Sequence, residues 1–198
     1  ADELKFSDAA LDLTNVTAGN GLDKITSTAT SGAVGITAAD NGYIDGATVT
    51  VTAATSGLTT LTSSGTAHNI TGVTFANSNG KFKIANATDS AVLTLDDADL
   101  ADTAGKISSI ALSGSGTEGV TSSGATLDVS DVTLSGVEVL TTTDSSNSAV
   151  WTVLGAQLGT SKVTTLTSAD AGAADELKFS DAALDLTNVT AGNGLDKI

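Results

Sequence analysis

The chain has 198 residues, 40% hydrophobic but only 3% aromatic, with no Pro, Cys, Met or Arg, and a net charge of −15 from eight Lys against 23 acidic residues. Zero cysteine excludes disulfides and thiol chemistry, the single histidine excludes a His-based metal cluster, and the acidity excludes the basic patch that a nucleic acid or an anionic membrane surface requires. No apolar run reaches the length of a membrane span, and no signal peptide is visible.

From the N-terminus, short apolar or alternating runs recur roughly every ten residues, bounded by Gly, Asn, Asp and Ser, the pattern of strands separated by turns. They are LKF (4–6), LDL (11–13), TVTVT (48–52), FKI (82–84), VLTL (92–95), SIAL (109–112), VEVL (137–140) and VTTLT (163–167). Two stretches, SDAALDL (Ser7 to Leu13) and LDDADLAD (Leu95 to Asp102), are short enough for one helical turn each, with Ser7 or Asp96 as the cap. AVWTVL places Trp151 on a strand, where a core position is expected. The chain reads as all-β.

Residues 1–25 recur unchanged as residues 174–198, so the sequence restarts after 173 residues. A chain that opens and closes in mid-pattern is expected to be a segment of a longer tandem array, with residues 1–173 as one full unit and 174–198 as the start of the next. The junction near 170–175 is expected to be continuous β structure. A weaker repeat lies inside the unit: LDLTNV, HNITGV, LDVSDV and LDLTNV put Val16, Val73, Val132 and Val189 at spacings of 57, 59 and 57. Ala33-Val34, Ala91-Val92 and Ala149-Val150 follow at spacings of 58, with GLDKI, GKFKI and GVEVL between them. These anchors divide the unit into three diverged modules, approximately 16–72, 73–131 and 132–188. A fixed period of this order marks repeats that bury their apolar faces against their neighbours.

Two architectures fit a Thr-rich, all-β repeat. An immunoglobulin-type sandwich needs about seven strands and about 100 residues. A β-helix or β-solenoid needs only two or three short strands per coil, so each module makes two or three coils, and six to nine coils at about 4.8 Å give a rod of roughly 30 to 45 Å per unit. The solenoid is the favoured fold. The alternative is tandem small β-sandwich domains, because GYIDGATVTV with NSNGKFKI looks like strands of the carboxypeptidase-regulatory-like sandwich, which would make residues 42–95 a compact domain.

GNGLDKI, at Gly19 to Ile25 and again at Gly192 to Ile198, resembles one degenerate copy of the repeats-in-toxin nonapeptide. LKFSDAALDLTNV and LDVSDVTLSGVEVL are similar to patterns in very large bacterial surface proteins, including S-layer proteins and giant adhesins exported by type I secretion. The resemblance implies a calcium-responsive, extracellular, repetitive β protein. Its metal ligands carry over to Gly19, Asn20, Gly21 and Asp23, and to Gly192, Asn193, Gly194 and Asp196; a plain strand-entry turn explains the same residues. The module alignment sets Phe82 opposite Asp23.

A second candidate calcium cluster is Asp96, Asp97, Asp99 and Asp102, since hard cations take several oxygen ligands; a solvated acidic loop is the commoner outcome for such a run. ADNGYIDG (Ala39 to Gly46) resembles the middle of an EF-hand loop but lacks the carboxylates to complete one. His68 is expected to be structural, and no catalytic or cofactor-binding residues are assigned. The threonines of TVTVT and ITSTAT resemble ice-binding arrays, yet the modules do not repeat them in register. The sequons at Asn15, Asn69 and Asn86 follow from composition.

The expected function is non-enzymatic: a structural segment of a long secreted bacterial protein forming a fibre, sheath or surface layer at the cell surface. Its expected partners are copies of itself, with glycans or the cell surface as further candidates, and calcium is the candidate cofactor. The alternatives are an adhesin stalk of sandwich repeats and, less favoured, a polysaccharide-active β-helix enzyme with paired carboxylates.

Overall fold

The computed structural model describes residues 3–8, 10–13, 24–28, 34–38, 50–53, 58–77, 79–169, 174–181, 183–192 and 195–198. In chain order the strands are β1 (Glu3–Phe6), β2 (Ala10–Asp12), β3 (Lys24–Ser27), β4 (Val34–Ala38), β5 (Thr50–Ala53), β6 (Leu58–Ser63), β7 (Ala67–Asn69), β8 (Thr74–Ala76), β9 (Lys81–Asn86) and β10 (Val92–Leu95). They continue with β11 (Ile107–Leu112), β12 (Gly119–Ser122), β13 (Thr126–Asp128), β14 (Thr133–Ser135), β15 (Val139–Thr142), β16 (Val150–Val153), β17 (Thr165–Ser168), β18 (Glu176–Phe179) and β19 (Thr190–Ala191).

Every pairing between these strands is parallel, and each joins residues that lie one coil apart in sequence. The shortest step is 20 residues, from Gly119 to Val139, and the longest 27, from Val92 to Gly119. Short strands stacked in this way form a β-solenoid, not a sandwich, whose strands pair antiparallel. Among the described residues of 42–95, β5 and β8 belong to one sheet of the stack and β6 and β9 to another.

The solenoid has three faces. Face 1 carries β1, β3, β5 and β8 and later β13, β16 and β18; face 2 carries β2, β4, β6, β9, β11 and β14; face 3 carries β7, β10, β12, β15, β17 and β19. Faces 2 and 3 each stack six strands, about six turns. Between β8 and β13, face 1 passes through a 3-10 turn at Asp97–Asp99. The stacking is unbroken there, because the Asp97 carboxylate accepts the Asp128 N–H at 2.6 Å from the next turn. Face 2 passes likewise from β14 into a 3-10 turn at Gly155–Gln157, where the Gln157 amide donates to the carbonyls of Val129 and Val132, both at 2.8 Å.

Period-2 alternation decides which side chains go inside. On face 3 the inward rungs are His68, Leu93, Val120, Leu140 and Leu166, each opposite the next in register. Face 1 stacks Leu127, Trp151 and Leu177, all 1% exposed or less, so Trp151 is core as expected. Each such burial is worth about 1.5–3 kcal/mol, which lets a chain with few aromatics hold a continuous core.

Of the two stretches read as helical turns, LDDADLAD does hold the 3-10 turn at Asp97–Asp99, following Asp96, although the Asp96 side chain makes no cap to it. SDAALDL does not: Ala10–Asp12 is β2, paired with Gly35–Thr37 of β4. Ladder hydrogen bonds outweigh the weak local preference of a seven-residue run. Near the repeat junction β17 and β18 flank residues 170–173, which lie outside the described residues.

Candidate functional site

Turning a corner every eight or so residues leaves backbone N–H groups unsatisfied at each bend, and short polar side chains supply the acceptors. Asn69 Oδ1 accepts the Thr71 N–H at 3.0 Å, Asp128 Oδ1 accepts that of Ser130 at 3.0 Å, and Asp185 Oδ1 accepts that of Thr187 at 2.9 Å. Each turn is closed again by a valine: Val73, Val132 and Val189 donate to the carbonyls of Ile70, Val129 and Leu186. These are the aligned anchors of the 58-residue repeat, yet they occupy three different corners. Val73 leads into β8 on face 1, Val132 into β14 on face 2 and Val189 into β19 on face 3. A second pair behaves alike, with Asn86 Oδ1 accepting Thr88 N–H at 2.7 Å after β9 and Asp144 Oδ1 accepting Ser146 N–H at 2.8 Å after β15. The hydrogen bonds from Ser146 and Asn147 hold the Asp144 carboxyl down to about 2.

A further set of carboxylates clamps one turn to the next. Glu118, 2% exposed, accepts the N–H groups of Ser90 at 3.1 Å and Gly116 at 3.2 Å. Asp175, 3% exposed, accepts that of Ala149 at 3.0 Å. Asp89 takes the Ser115 N–H at 2.7 Å, which holds its carboxyl below the usual range, and Asp181 takes the Gly155 N–H at 2.8 Å. Glu138 receives the Glu118 N–H at 2.9 Å, but burial pushes its carboxyl up. Nothing in the sequence pattern announced this role, because every one of these partners except Gly116 is about one turn away in the chain.

The Asp96 to Asp102 cluster belongs to the same system. Asp96 bridges the Gly72 N–H on one side, at 2.8 Å, and the Ser123 hydroxyl on the other, while Asp97 holds Thr126 and Asp128. Asp99 lies 3.7 Å from Lys106 Nζ and Asp102 pairs with Lys81. Burial raises the Asp99 carboxyl despite that lysine. The four carboxylates thus have separate partners, and no group of three or more His, Cys, Asp or Glu gathers to hold a metal among the described residues.

Of the GNGLDKI candidates, Gly19, Asn20, Gly21, Asp23, Asn193 and Gly194 lie outside the described residues, as do Ala39 to Gly46. Gly192 donates its N–H to Leu166 O at 2.9 Å, and the Asp196 carboxylate accepts the Asp175 N–H at 3.1 Å.

His68 is 3% exposed on the inner side of β7, and burial pushes its imidazole down to about 4. Its Nδ1 has no hydrogen-bond partner. The described grooves lie beside the Gly155–Gln157 turn. One, of about 290 Å³, includes Gly136 and Gln157, with Lys162 as its only ionisable residue; the Lys162 ammonium donates to Ala156 O at 2.6 Å. The other, of about 520 Å³, includes Asp181, already taken by Gly155.

Face 3 carries a row that sequence spacing did not reveal: Thr94, Thr121, Thr141 and Thr167 stand in register on consecutive turns. At the sequons, Asn69 serves its own corner, and Asn86 is 2% exposed with its amide nitrogen donated to Gly65 O. No helix among the described residues is long and apolar enough to cross a membrane. The sequence matches no protein-family model, no curated protein and no solved structure.

Proposed function

We propose that this chain is a non-catalytic structural length of a repetitive, secreted polymer that works at the cell surface as a fibre, sheath or layer. The observation that carries the reading is that the duplicated residues recur in the same pairing: Glu3 lies opposite Lys24 in β1 and β3, and Glu176 lies opposite Lys197 in the later copy. The ion pairs recur with it, Lys24 to Glu3 at 3.1 Å and Lys197 to Glu176 at 2.7 Å. Duplication that preserves stacking adds length to the same rod. The spending of carboxylates on corners and turn-to-turn clamps supports a mechanical role, as does the burial of the one histidine in the core.

Secretion and bacterial origin rest on composition and on the resemblance of GNGLDKI and its neighbours. Calcium at those turns rests on the resemblance alone. The experiment is protease shaving of intact producing cells, followed by electron microscopy of the released material. The expected result is shaved fragments that form unbranched rods of one width. A protein protected inside the cell, or measurable turnover on a glycan panel, overturns the reading.

A further inference from the structure

We infer that the 173-residue unit is a whole number of turns, seven, and that the coil built by residues 174–198 is the seat on which another copy of the unit continues the solenoid with every face in phase. The inference deepens the reading of the chain as part of a tandem array and rests on it.

The count follows from the register along face 1. Glu3 stacks under Lys24, Lys24 under Thr50 and Thr50 under Thr74. The Asp97–Asp99 turn comes next and is bound to β13; Thr126 then stacks under Val150 and Val150 under Glu176. Those are seven steps, and they end on the residue that duplicates Glu3, on the same face.

The three modules explain why the number is seven and not six or nine. Counting from β8, the chain lays down seven further face segments to reach β14; from β14 it lays down six named elements to β19 and, between β18 and β19, the stretch at Ala183 and Leu184 that packs against Gly155, seven again. One module is therefore about two and one third turns, so equivalent corners step from face 1 to face 2 to face 3. Three modules close the cycle after seven turns. A unit of one module would rotate every surface feature by one third of a turn at each repeat, and a unit of two modules by two thirds; three modules are the smallest number that returns each feature to its own face.

The duplicated strand shows both sides of the join. As β1, the sequence ELKF is seen with β3 over it; as β18, it is seen with β16 under it. The burial complements this. Leu177, with Trp151 beneath, is 0% exposed, whereas its copy Leu4 is only partly buried. Phe6 is partly buried beside β3, whereas its copy Phe179 is 38% exposed. Within an array, each ELKF would have the VWTV strand below and the KITS strand above, and both apolar side chains would be covered.

The test is a chain extended by one further unit. The protein lacks cysteine, so a spin label can be placed at Thr141→Cys and at the copy of that position 173 residues later. Seven turns at about 4.8 Å put the labels about 34 Å apart along one face, and the expected result is a single narrow distance near that value. Hydrogen exchange at 176–180 should slow at least tenfold relative to the shorter chain, a readout that needs no substitution. A broad distance distribution, or exchange unchanged by the added unit, overturns the inference. Straight rods from a protein that stays inside the cell would sink the proposed function and leave the seven-turn join standing; flexibly linked units at the cell surface would do the reverse.

Discussion

His68 fills a rung that Leu93, Val120, Leu140 and Leu166 fill in the turns stacked beyond it, so its imidazole has aliphatic neighbours and must stay neutral. With its value pushed down from 6.5 to about 4, stability is fully present above 6.5 and falls as the pH drops towards 4, where the unfolded chain binds a proton that the native state refuses. The ceiling on that loss is about 3 kcal/mol. Glu138 and Asp99, both raised by burial, act with the opposite sign: their contribution is present below the unfolded carboxyl value and is lost as the pH rises through the folded one. The informative quantity is therefore a difference between variants. His68→Leu should remove most of the decline in urea midpoint between pH 6.5 and 4 shown by the parent protein, and an unchanged decline would mean that the imidazole is not the titrating group. Gly136 makes a second demand at this scale. Its φ is +64°, and a Cβ there would lie 1.8 Å from Leu112 O. Gly136→Ala should cost at least about 2 kcal/mol in thermal melting, from left-handed strain and displaced backbone together.

At the scale of the element, the corner governs the fold more than the strand does. Asn69, Asp128 and Asp185 make the same hydrogen bond at three corners, so the bend needs a short side-chain oxygen and not a charge. Asp128→Asn should leave the melting temperature nearly unchanged, while Asp128→Ala should cost about 1 kcal/mol by leaving the Ser130 N–H without its acceptor. Equal losses for both variants would show that the charge matters after all. The strands themselves were legible, because LKF, FKI, VLTL and VTTLT alternate with period two and end at turn formers. In SDAALDL the local pattern allows both a helical turn and the strand LDL, and the strand at Ala10–Asp12 is decided by β4, whose partner residues begin 25 positions later at Gly35. The same distance hid the clamps: Asp97 and Asp128 are 31 residues apart, and no local pattern links a carboxylate to an N–H one turn away. The 58-residue period was plain, but its rotation from face to face was not, because the three faces use the same strand vocabulary.

For the whole molecule, a charge of −15 on a narrow rod has two opposed effects. Self-repulsion keeps an array soluble and dispersed while destabilising the compact state. The clamps and corners reverse part of that cost by giving individual carboxylates donors. Hydrogen bonds and lysines hold Glu3 and Asp144 at about 2 and depress Asp89, Glu176 and Asp185. Such groups contribute stability above the unfolded carboxyl value, and the contribution disappears as the pH falls through the lowered one, so acid unfolding should set in below about pH 4 and be steepest towards 2. At pH 7, above both that window and the one set by His68, the net repulsion can be relieved by salt: at 0.15 M the Debye length is about 8 Å, shorter than two turns of the stack. Neutral salt should therefore raise the melting temperature at pH 7, and Mg²⁺ and Ca²⁺ at equal ionic strength should raise it equally if screening is the whole effect. A Ca²⁺ excess that vanishes in the double variant Asp23→Asn, Asp196→Asn would instead establish the GNGLDKI turns as calcium sites. An excess that survives those substitutions would point to the Asp96–Asp102 corner, where Asp96 and Asp97 would have to exchange N–H and hydroxyl donors from neighbouring turns for a cation. Calcium would then loosen the stack at that point, and amide exchange at Gly72 and Asp128 would quicken as the ion bound.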